Sequence, residues 1–409
     1  MPKALFFNVP AHGHITPSLP LVAELVRRGH HITYFASAGF RAKIEASGAT
    51  FQPYATVHDD FFDTRGLSGK VPQRVAYELM TMTQAILPEL LAFARKAQPD
   101  YALFDGMCPW GYFVAQILRM PAVTSLGLLP PVSPPLRAML QPHMLRFVAS
   151  AVLHDFDKGV AASNISRALG KHYGVAPLGP TSLLSAMAPK RATFGDIAIS
   201  YTSSYFAPYA DTVPKAVRFV GWTPSATDTT DSFPFEHDPR RLIYASLGTV
   251  NNDDIAFFRA CIEAFARNND IVVLISTGGK IKSNSFGALP TNISIQSWVP
   301  QVAVLKRAAL FITHGGVNSV HDGLYFGVPL LLVPQQGEQT IIAMRVAELG
   351  AGLVLDKAHL SADLLRANAM CLLSEPRFKA EAHRIGDSFR AAGGVAKGAD
   401  EIEGILRRA

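Results

Sequence analysis

Short apolar runs alternate with longer segments of helical spacing through the first half of the chain. An apolar run at residues 4–9 is followed by a loop containing Pro, Gly and His, and then by helical spacing at residues 19–26. The same pattern predicts further strands at residues 31–35, 101–104 and 122–126. Strands that alternate with helices predict a parallel, doubly wound sheet.

The alternation restarts in the second half of the chain, which predicts a second α/β unit. Its strand candidates are residues 242–246, 271–276, 293–296, 310–313 and 330–333. A stretch rich in Thr, Asp, Ser and Pro separates the two halves. We therefore predict an N-terminal Rossmann-like domain at residues 1–220, a linker at 221–240 and a second Rossmann-like domain from residue 241 to 384. The helical and irregular stretch 135–190 would either line a substrate pocket or cover a sheet edge.

Composition narrows the function classes only slightly. The 409 residues are 49% hydrophobic, enough for two domains with sizeable cores, and the formal charge of +6 is spread without a basic run. This charge suits an anionic ligand but does not indicate a nucleic-acid partner. The three cysteines have neither CxxC nor metal-ligand spacing, and no run of 18 apolar residues occurs. We expect a cytoplasmic protein with no integral membrane association.

A histidine and an aspartate lie where two predicted strands of the first half end. His14 is in the predicted loop at residues 10–17, and Asp105 directly follows residues 101–104. Because parallel strands present their carboxyl ends at one edge, both side chains should lie on the same side of the sheet. A carboxylate on one ring nitrogen would fix the tautomer while the other nitrogen takes a proton from a hydroxyl. Alternatively, His14 is simply solvated and Asp105 caps the next segment.

The second half contains a pattern that favours phosphate binding. The strand at residues 310–313 leads into His314, two glycines and the polar residues Asn318 and Ser319, at the start of a helical stretch. Glycines such as Gly316 let the backbone approach a diphosphate closely, and a helix N-terminus supplies free amides. Asp322, one turn later, could accept hydrogen bonds from ribose hydroxyls. Trp298 offers a flat face for a base, although a core position is the commoner fate of a tryptophan.

These segments together resemble the donor-binding signature of the family 1 UDP-glycosyltransferases, and most closely the bacterial macrolide-glycosyltransferase branch. The resemblance is carried by Trp298-Val299-Pro300-Gln301, His314-Gly315-Gly316-Val317-Asn318-Ser319, Gly327-Val328-Pro329, Pro334-Gln335-Gln336-Gly337-Glu338-Gln339 and the early Gly13-His14-Ile15-Thr16-Pro17. It implies a GT-B fold, an α/β architecture in which two Rossmann-like domains face a central cleft. It also implies that residues 385–409 form a C-terminal helix that returns to the N-terminal domain.

The resemblance further implies a role for each matching residue. His14 matches the catalytic base and Asp105 the group that orients it. The donor-binding positions are Thr249, Trp298, Val299, Gln301, His314, Gly316, Asn318, Ser319, Asp322, Glu338 and Gln339. Trp298 matches the residue that stacks on uracil, and Val299 and Gln301 match positions next to the nucleoside. The diphosphate-binding positions are matched by Thr249, His314, Asn318 and Ser319, whereas Glu338 and Gln339 match the pair that holds the sugar hydroxyls.

The implied reaction is an inverting, metal-independent transfer of a hexose, glucose foremost, from a UDP-sugar to a hydroxyl of a small hydrophobic acceptor such as a polyphenol or macrolide. No cofactor is expected beyond the sugar nucleotide, which is a co-substrate. The alternatives are a nucleotide-sugar epimerase, a lipid-linked sugar transferase on the same fold, and a non-catalytic auxiliary relative. The family usually has Glu where this chain has Asp322 and Asp where it has Glu338, which leaves the nucleotide and the sugar open.

Two further patterns weigh little. The Asp155-Phe156-Asp157 tripeptide resembles the DxD motif of metal-dependent transferases, but it lies in a helical stretch, and Gly278-Gly279-Lys280 is not a complete P-loop. No metal site is predicted. The acceptor would contact loops in the N-terminal domain, at residues 61–67, 107–113 and 128–140, whose Phe, Met, Pro and Trp residues suit an apolar molecule. Core packing explains the same residues nearly as well.

Overall fold

The computed structural model describes residues 1–55, 72–132, 156–178, 195–225, 232–248, 252–335 and 337–408. The chain divides into two compact units. The first consists of Met1–Thr223 together with Ala392–Ala409, and the second is the continuous stretch Pro224–Ala391. Each unit contains a parallel sheet with helices between its strands. The predicted α/β class with two Rossmann-like domains is therefore confirmed.

The first unit is built on a seven-stranded parallel sheet of order β3-β2-β1-β4-β5-β6-β7. Its strands are β1 (Lys3–Phe7), β2 (His31–Ala36), β3 (Thr50–Pro53), β4 (Tyr101–Asp105), β5 (Ala122–Leu126), β6 (Ile197–Ser200) and β7 (Val217–Phe219). Its described helices are α1 (His12–Arg27), α2 (Arg41–Ala46), α3 (Pro72–Ala97), α4 (Pro109–Leu118), α5 (Phe156–Tyr173) and α12 (Gly394–Leu406), with short 3-10 helices at Ala38–Phe40 and Ala210–Thr212. The order reverses between β1 and β4, which is where ligands bind in such sheets.

Helix α1 begins much earlier than the sequence pattern predicts. It starts at His12 and contains both Pro17 and Pro20, whereas we predicted a loop at residues 10–17. A proline inside a helix removes one backbone hydrogen bond, so these two residues argued against helix. Burial outweighs that cost, since Ile15, Leu19 and their neighbours on one face are packed in the core. The prediction that His14 lies in a loop was therefore wrong, and His14 belongs to the first turn of a helix.

The second unit is built on a six-stranded parallel sheet of order β10-β9-β8-β11-β12-β13. Its strands are β8 (Arg241–Ser246), β9 (Ile271–Ser276), β10 (Ile293–Gln296), β11 (Leu310–Thr313), β12 (Leu330–Leu332) and β13 (Gly352–Val354). Its described helices are α6 (Ile255–Phe265), α7 (Gln301–Arg307), α8 (Val317–Tyr325), α9 (Gly337–Glu348), α10 (Ala362–Ser374) and α11 (Pro376–Ala391), with 3-10 helices at Ser283–Phe286 and Lys357–His359. Here the order reverses between β8 and β11.

Helices α11 and α12 belong to different units. Helix α11 packs so closely on α8 that a Cβ on Gly386 would lie 2.5 Å from the carbonyl oxygen of Leu324. The chain enters the first unit only at Ala392, whereas the sequence placed the domain boundary at residue 385. Among the described residues, no helix is long and apolar enough to cross a membrane.

Helix α12 is fastened to α1 by both apolar and charged contacts. Gly398 faces Leu21 closely enough that a Cβ there would lie 3.0 Å from the Leu21 side chain. Arg28 binds Asp400 at 2.6 Å and Glu403 at 3.3 Å. Ile402 is fully buried, so the last helix completes the core of the first unit.

Replacing Ile402 by Ala should destabilise the first unit by about 2–5 kcal/mol, because it removes buried methyl groups and leaves a cavity. Urea denaturation followed by circular dichroism measures the loss. Ile255→Ala is the matched control, because this side chain is 42% exposed and should change the unfolding free energy by less than about 0.5 kcal/mol. Equal effects of the two variants would contradict a structural role for α12.

Candidate active site

The switch point of the first sheet brings His14 and Asp105 together. Strand β1 leads into α1, β4 ends at Asp105, and the two strands pair in parallel with Phe7 opposite Phe104. The Nδ1 atom of His14 lies 3.0 Å from both carboxylate oxygens of Asp105. Asp105 is 1% exposed, whereas the His14 side chain keeps 13% of its surface in solvent. The contact expected from the sequence is thus present.

The contact determines which imidazole nitrogen of His14 carries the proton. A carboxylate can only accept hydrogen bonds, so Nδ1 of His14 carries the proton that is donated to Asp105. Oδ1 of Asp105 also accepts a hydrogen bond from the Met107 backbone N–H at 2.8 Å. The Nε2 atom of neutral His14 is then an acceptor, as a general base requires.

A glycine that the sequence analysis did not select leaves room for His14. Gly127 follows β5, and a Cβ on it would lie 3.3 Å from the carbonyl oxygen of Gly13 and 3.4 Å from Nδ1 of His14. Any larger residue would press on the histidine and on the first turn of α1. Its place directly after a strand end, at the same edge as Asp105, was the available signal.

A buried hydrogen-bond network that the sequence analysis also missed supports the first turn of α1. Asn8 donates to the carbonyl of His14 at 3.3 Å and to the hydroxyl of Tyr34 at 2.7 Å. Ser18 donates to the carbonyl of Ile15 and lies 2.8 Å from the same tyrosine hydroxyl. The backbone that carries His14 is therefore stabilised by hydrogen bonds from Asn8, after β1, and Ser18, on α1. Both of these side chains also contact the hydroxyl of Tyr34 on β2.

The segments suggested for acceptor binding are only partly described. Residues 61–67 and 133–140 lie outside the described residues. Trp110 and Phe113 are fully buried in the core, and Nε1 of Trp110 donates to the hydroxyl of Tyr54 at 3.1 Å. Core packing therefore accounts for these two aromatic residues. Leu128, just after β5, is 38% exposed.

At the switch point of the second sheet, His314 is enclosed between two glycines. It follows β11, and a Cβ on Gly316 would lie 2.4 Å from its Nε2 atom. Gly248 follows β8 with a φ of +77°, and a Cβ there would lie 2.7 Å from Cε1 of the same ring. Thr249, the next predicted donor-binding residue, lies outside the described residues. Both glycines are thus needed for the imidazole to fit.

The enclosure of His314 changes its charge. Burial lowers the pKa of His314 to about 4, although a hydrogen bond with the Ser246 backbone acts in the opposite direction. The ring is therefore neutral at pH 7 and can act only as an uncharged hydrogen-bond donor or acceptor. Gly316 is the N-cap of α8, so the amides of Asn318 and Ser319 belong to its first turn. The positive end of this helix supplies the attraction for an anion.

The predicted nucleoside-binding residues form a second group around α7 and α8. Trp298 is 61% exposed, so it is not a core anchor, and a Cβ on Gly279 would lie 3.2 Å from its Nε1 atom. Val299 is half-buried next to it. Nε2 of Gln301 donates to Oδ2 of Asp322 at 2.8 Å, so these two side chains are coupled. The exposed indole suits a base, and the buried carboxylate held by Gln301 suits a ribose.

Glu338 and Gln339 lie in the first turn of α9 but differ in exposure. Glu338 is exposed, whereas Gln339 is 5% exposed and its Oε1 atom accepts from the backbone N–H of Gln335 at 2.8 Å. The carboxylate is therefore accessible to a ligand. The glutamine also stabilises the turn that precedes the helix.

The remaining motifs form no site in the described part of the chain. There, no group of three or more His, Cys, Asp or Glu side chains could hold a metal ion. Asp155 lies outside the described residues, and Asp157 is exposed in the first turn of α5. The Gly278-Gly279 turn follows β9 and lies beside Trp298 instead of forming a P-loop.

Comparison with known proteins shows what kind of protein carries these two groups. Residues 262–397 match the family model described as erythromycin biosynthesis protein CIII-like, C-terminal domain. The chain is 32% identical over 409 residues to the NDP-glycosyltransferase YjiC of Bacillus licheniformis, covering 98% of this chain and 96% of that one. It is 30% identical to the "Uncharacterized UDP-glucosyltransferase YojK" of Bacillus subtilis, covering 98% and 97%. The chain belongs to the macrolide-glycosyltransferase-like branch of the family 1 glycosyltransferases.

Solved structures agree with this assignment. The glycosyltransferase of kitacinnamycin superposes with a TM-score of 0.82 at 26% identity, covering 98% of this chain and 99% of that one. The calicheamicin glycosyltransferase CalG4 gives 0.80 at 28% identity, covering 100% and 99%. The predicted GT-B fold is confirmed. This glycosyltransferase is thus an enzyme of the natural-product type that uses a nucleotide-sugar donor and an acceptor substrate.

The second unit of this glycosyltransferase should lose stability in acid. Burial lowers the pKa of His314 to about 4 and that of His321, packed edge-on against Phe389, to about 3. Their ordinary pKa is 6.5, so below that pH the unfolded chain binds protons that the folded unit resists. The free energy of unfolding should fall by up to roughly 1.4 kcal/mol per pH unit for each histidine between pH 6.5 and 4.

Urea denaturation at pH 4.5 to 7.5 measures this loss. His321→Gln should reduce the slope, because one of the two buried rings is removed. His359→Gln, in which an exposed ring is replaced, serves as its control. A pH slope unchanged in His321→Gln would contradict the assignment of a neutral, buried ring.

Proposed function

We propose that this glycosyltransferase moves a hexose, glucose foremost, from a UDP-sugar to a hydroxyl of a small hydrophobic acceptor, with inversion and without a metal. The contact of His14 with the buried carboxylate of Asp105 carries the proposal. It fixes Nδ1 as the protonated nitrogen of the imidazole in its neutral form and Nε2 as the acceptor nitrogen, at the switch point of the first sheet. That is the arrangement that deprotonation of a hydroxyl requires.

The reaction proceeds as a single displacement. His14 takes the acceptor proton on Nε2 while the acceptor oxygen attacks the anomeric carbon from the face opposite the diphosphate. Asp105 stabilises the imidazolium that forms, because its carboxylate already accepts the Nδ1 proton. The glycosidic bond forms as the bond between the anomeric carbon and the diphosphate breaks, so UDP leaves with the bonding electrons.

The second unit neutralises the charge that develops on the leaving diphosphate. His314 is uncharged, so it contributes a hydrogen bond, and the amides of Gly316, Asn318 and Ser319 at the start of α8 contribute the positive end of a helix. Thr249 is assigned to the same diphosphate. These donors supply electrostatic stabilisation without a metal ion.

The rest of the donor is assigned to residues with the exposure and coupling that the role demands. Trp298 stacks on the base, with Val299 and Gln301 beside it, and Asp322 accepts from the ribose while Gln301 holds its other side. Glu338 and Gln339 bind the sugar hydroxyls. The three cysteines, Cys108, Cys261 and Cys371, are free thiols, which supports a reaction in the reducing cytoplasm.

Purified protein incubated with UDP-glucose, EDTA and a panel of phenolic and aliphatic alcohols should yield a glycoside detectable by mass spectrometry. The product should be the β-glucoside, since inversion converts the α-linked donor, and proton NMR of the anomeric position distinguishes the two. Products with TDP-sugars alone would revise the donor, and an α-glucoside would contradict inversion. Binding of UDP without any glycoside would favour the epimerase or auxiliary alternative.

His14→Ala should lower kcat/KM for an aliphatic alcohol by about 10²- to 10⁴-fold, the usual contribution of a positioned general base. An acidic phenol or thiol acceptor should lose much less, because it ionises without help, and this makes it an internal control for folding and donor binding. Asp105→Asn should lower the rate with alcohols as well, since the amide does not stabilise the imidazolium. Near-normal transfer to alcohols by His14→Ala would remove His14 as the base.

A further inference from the structure

A lysine that no motif includes connects three segments of the second unit. Lys357 begins the short 3-10 helix after β13. Its Nζ atom lies 2.8 Å from Oδ2 of Asp254 and also donates to Oε1 of Gln335. One ammonium group therefore joins the segment after β13, the residue before α6 and the turn after β12.

Asp254 is a rigid anchor for this lysine. Its other oxygen, Oδ1, caps α6 by accepting the backbone N–H of Phe257 at 3.0 Å. The Asp254 side chain is 18% exposed, whereas that of Lys357 is 48% exposed. A carboxylate fixed by a helix terminus restricts where the ammonium can lie.

The hydrogen bonds of Gln335 connect Lys357 to the turn that precedes α9. Its side-chain Nε2 donates to the carbonyl of Val333 at 2.9 Å, and its backbone N–H donates to Oε1 of Gln339 at 2.8 Å. The backbone oxygen of Gln339 in turn lies close to Gly315, since a Cβ on that glycine would be 3.2 Å from this oxygen. Lys357, Gln335 and Gln339 thus form a continuous chain of hydrogen bonds that ends in the first turn of α9.

We propose that Lys357 is a positioning residue for the transferred sugar: through Gln335 it holds the start of α9 so that Glu338 and Gln339 bind the hexosyl hydroxyls. The proposal rests on the sugar-binding role of Glu338 and Gln339 in the proposed function. Lys357 acts through Gln335 without contacting either substrate. It acts on the hexosyl part of the donor and not on the nucleotide, which is assigned to residues of α7 and α8.

Titration calorimetry without acceptor gives the dissociation constants of UDP-glucose and of UDP. Comparing the two constants distinguishes an effect on the hexosyl part of the donor from an effect on the nucleotide. Lys357→Met keeps the aliphatic stem and removes the ammonium group. The dissociation constant of UDP-glucose should therefore rise by about three- to tenfold, the range of one net hydrogen bond. UDP should bind within about twofold of the wild type. Lys357→Arg should restore most of the lost affinity, because a guanidinium can reach both oxygens.

The matched control is Lys379→Met, which removes the ammonium of an exposed lysine on α11 and should change neither constant. Combining Lys357→Met with Gln335→Ala tests the route: if the lysine acts through Gln335, the two losses should not add. Fully additive losses, an unchanged UDP-glucose constant in Lys357→Met, or equal weakening of UDP and UDP-glucose would each overturn the proposal. A wild-type protein that does not distinguish UDP-glucose from UDP would instead count against the proposed donor.

Discussion

A carboxylate that has been removed from water needs hydrogen-bond donors, and Asp105 obtains them from His14 and from the backbone of Met107. The His14 donor depends on β1 and β4 being neighbours with their carboxyl ends at one edge, whereas the Met107 donor belongs to the turn directly after Asp105. The requirement extends further, since a side chain at Gly127 would crowd the imidazole and Asn8 donates to the first turn of α1. One buried carboxylate thus constrains residues that follow three strands and a histidine in the first turn of one helix.

In the second unit, burial keeps the imidazole of His314 uncharged. His314 fits only between Gly248 and Gly316, and that close fit keeps its imidazole neutral. In the proposed function, the attraction for a diphosphate therefore comes from backbone dipoles and not from a cationic side chain. Backbone amides in a short helix are fixed before the substrate arrives, so little reorganisation is needed when charge develops.

Strands with a clear apolar pattern could be predicted from the sequence, whereas the edge strands β3, β7 and β13 could not. Strands β9, β10 and β11 match the predicted ranges. Strands β9 and β11 contain buried runs of four or more apolar or β-branched residues, whereas β10 alternates isoleucine with Ser and Gln. Strands β7 and β13 have three residues each, and β3 ends in a proline, so their local pattern is too weak to detect. Their pairing depends on neighbours far away in the chain.

For the site, periodicity and strand ends indicated the polar residues but not their supports. His14 and Asp105 were found because parallel strands present their carboxyl ends at one edge of a sheet. The two prolines of α1, however, led to the prediction of a loop where the structure has a helix. The only sequence signal for Gly127 was its place after a strand end, because its closeness to the His14 ring depends on the tertiary structure. Lys357 could not be found, since its contacts with distant segments also depend on the tertiary structure. The Gly278-Gly279 turn was correctly set aside as a P-loop, but its contact with the indole of Trp298 could not be predicted from the sequence.

The division of the chain also has a consequence for biosynthesis. The second unit is one uninterrupted stretch, whereas the first is completed only by the helix that begins at Gly394. On the ribosome, the later-made unit can thus finish folding before the earlier one, reversing the usual N-terminal-first order. Until the residues after Ala391 emerge, Leu21 and the adjoining face of α1 lack their partner helix, so the nascent N-terminal half carries exposed apolar surface that chaperones can recognise.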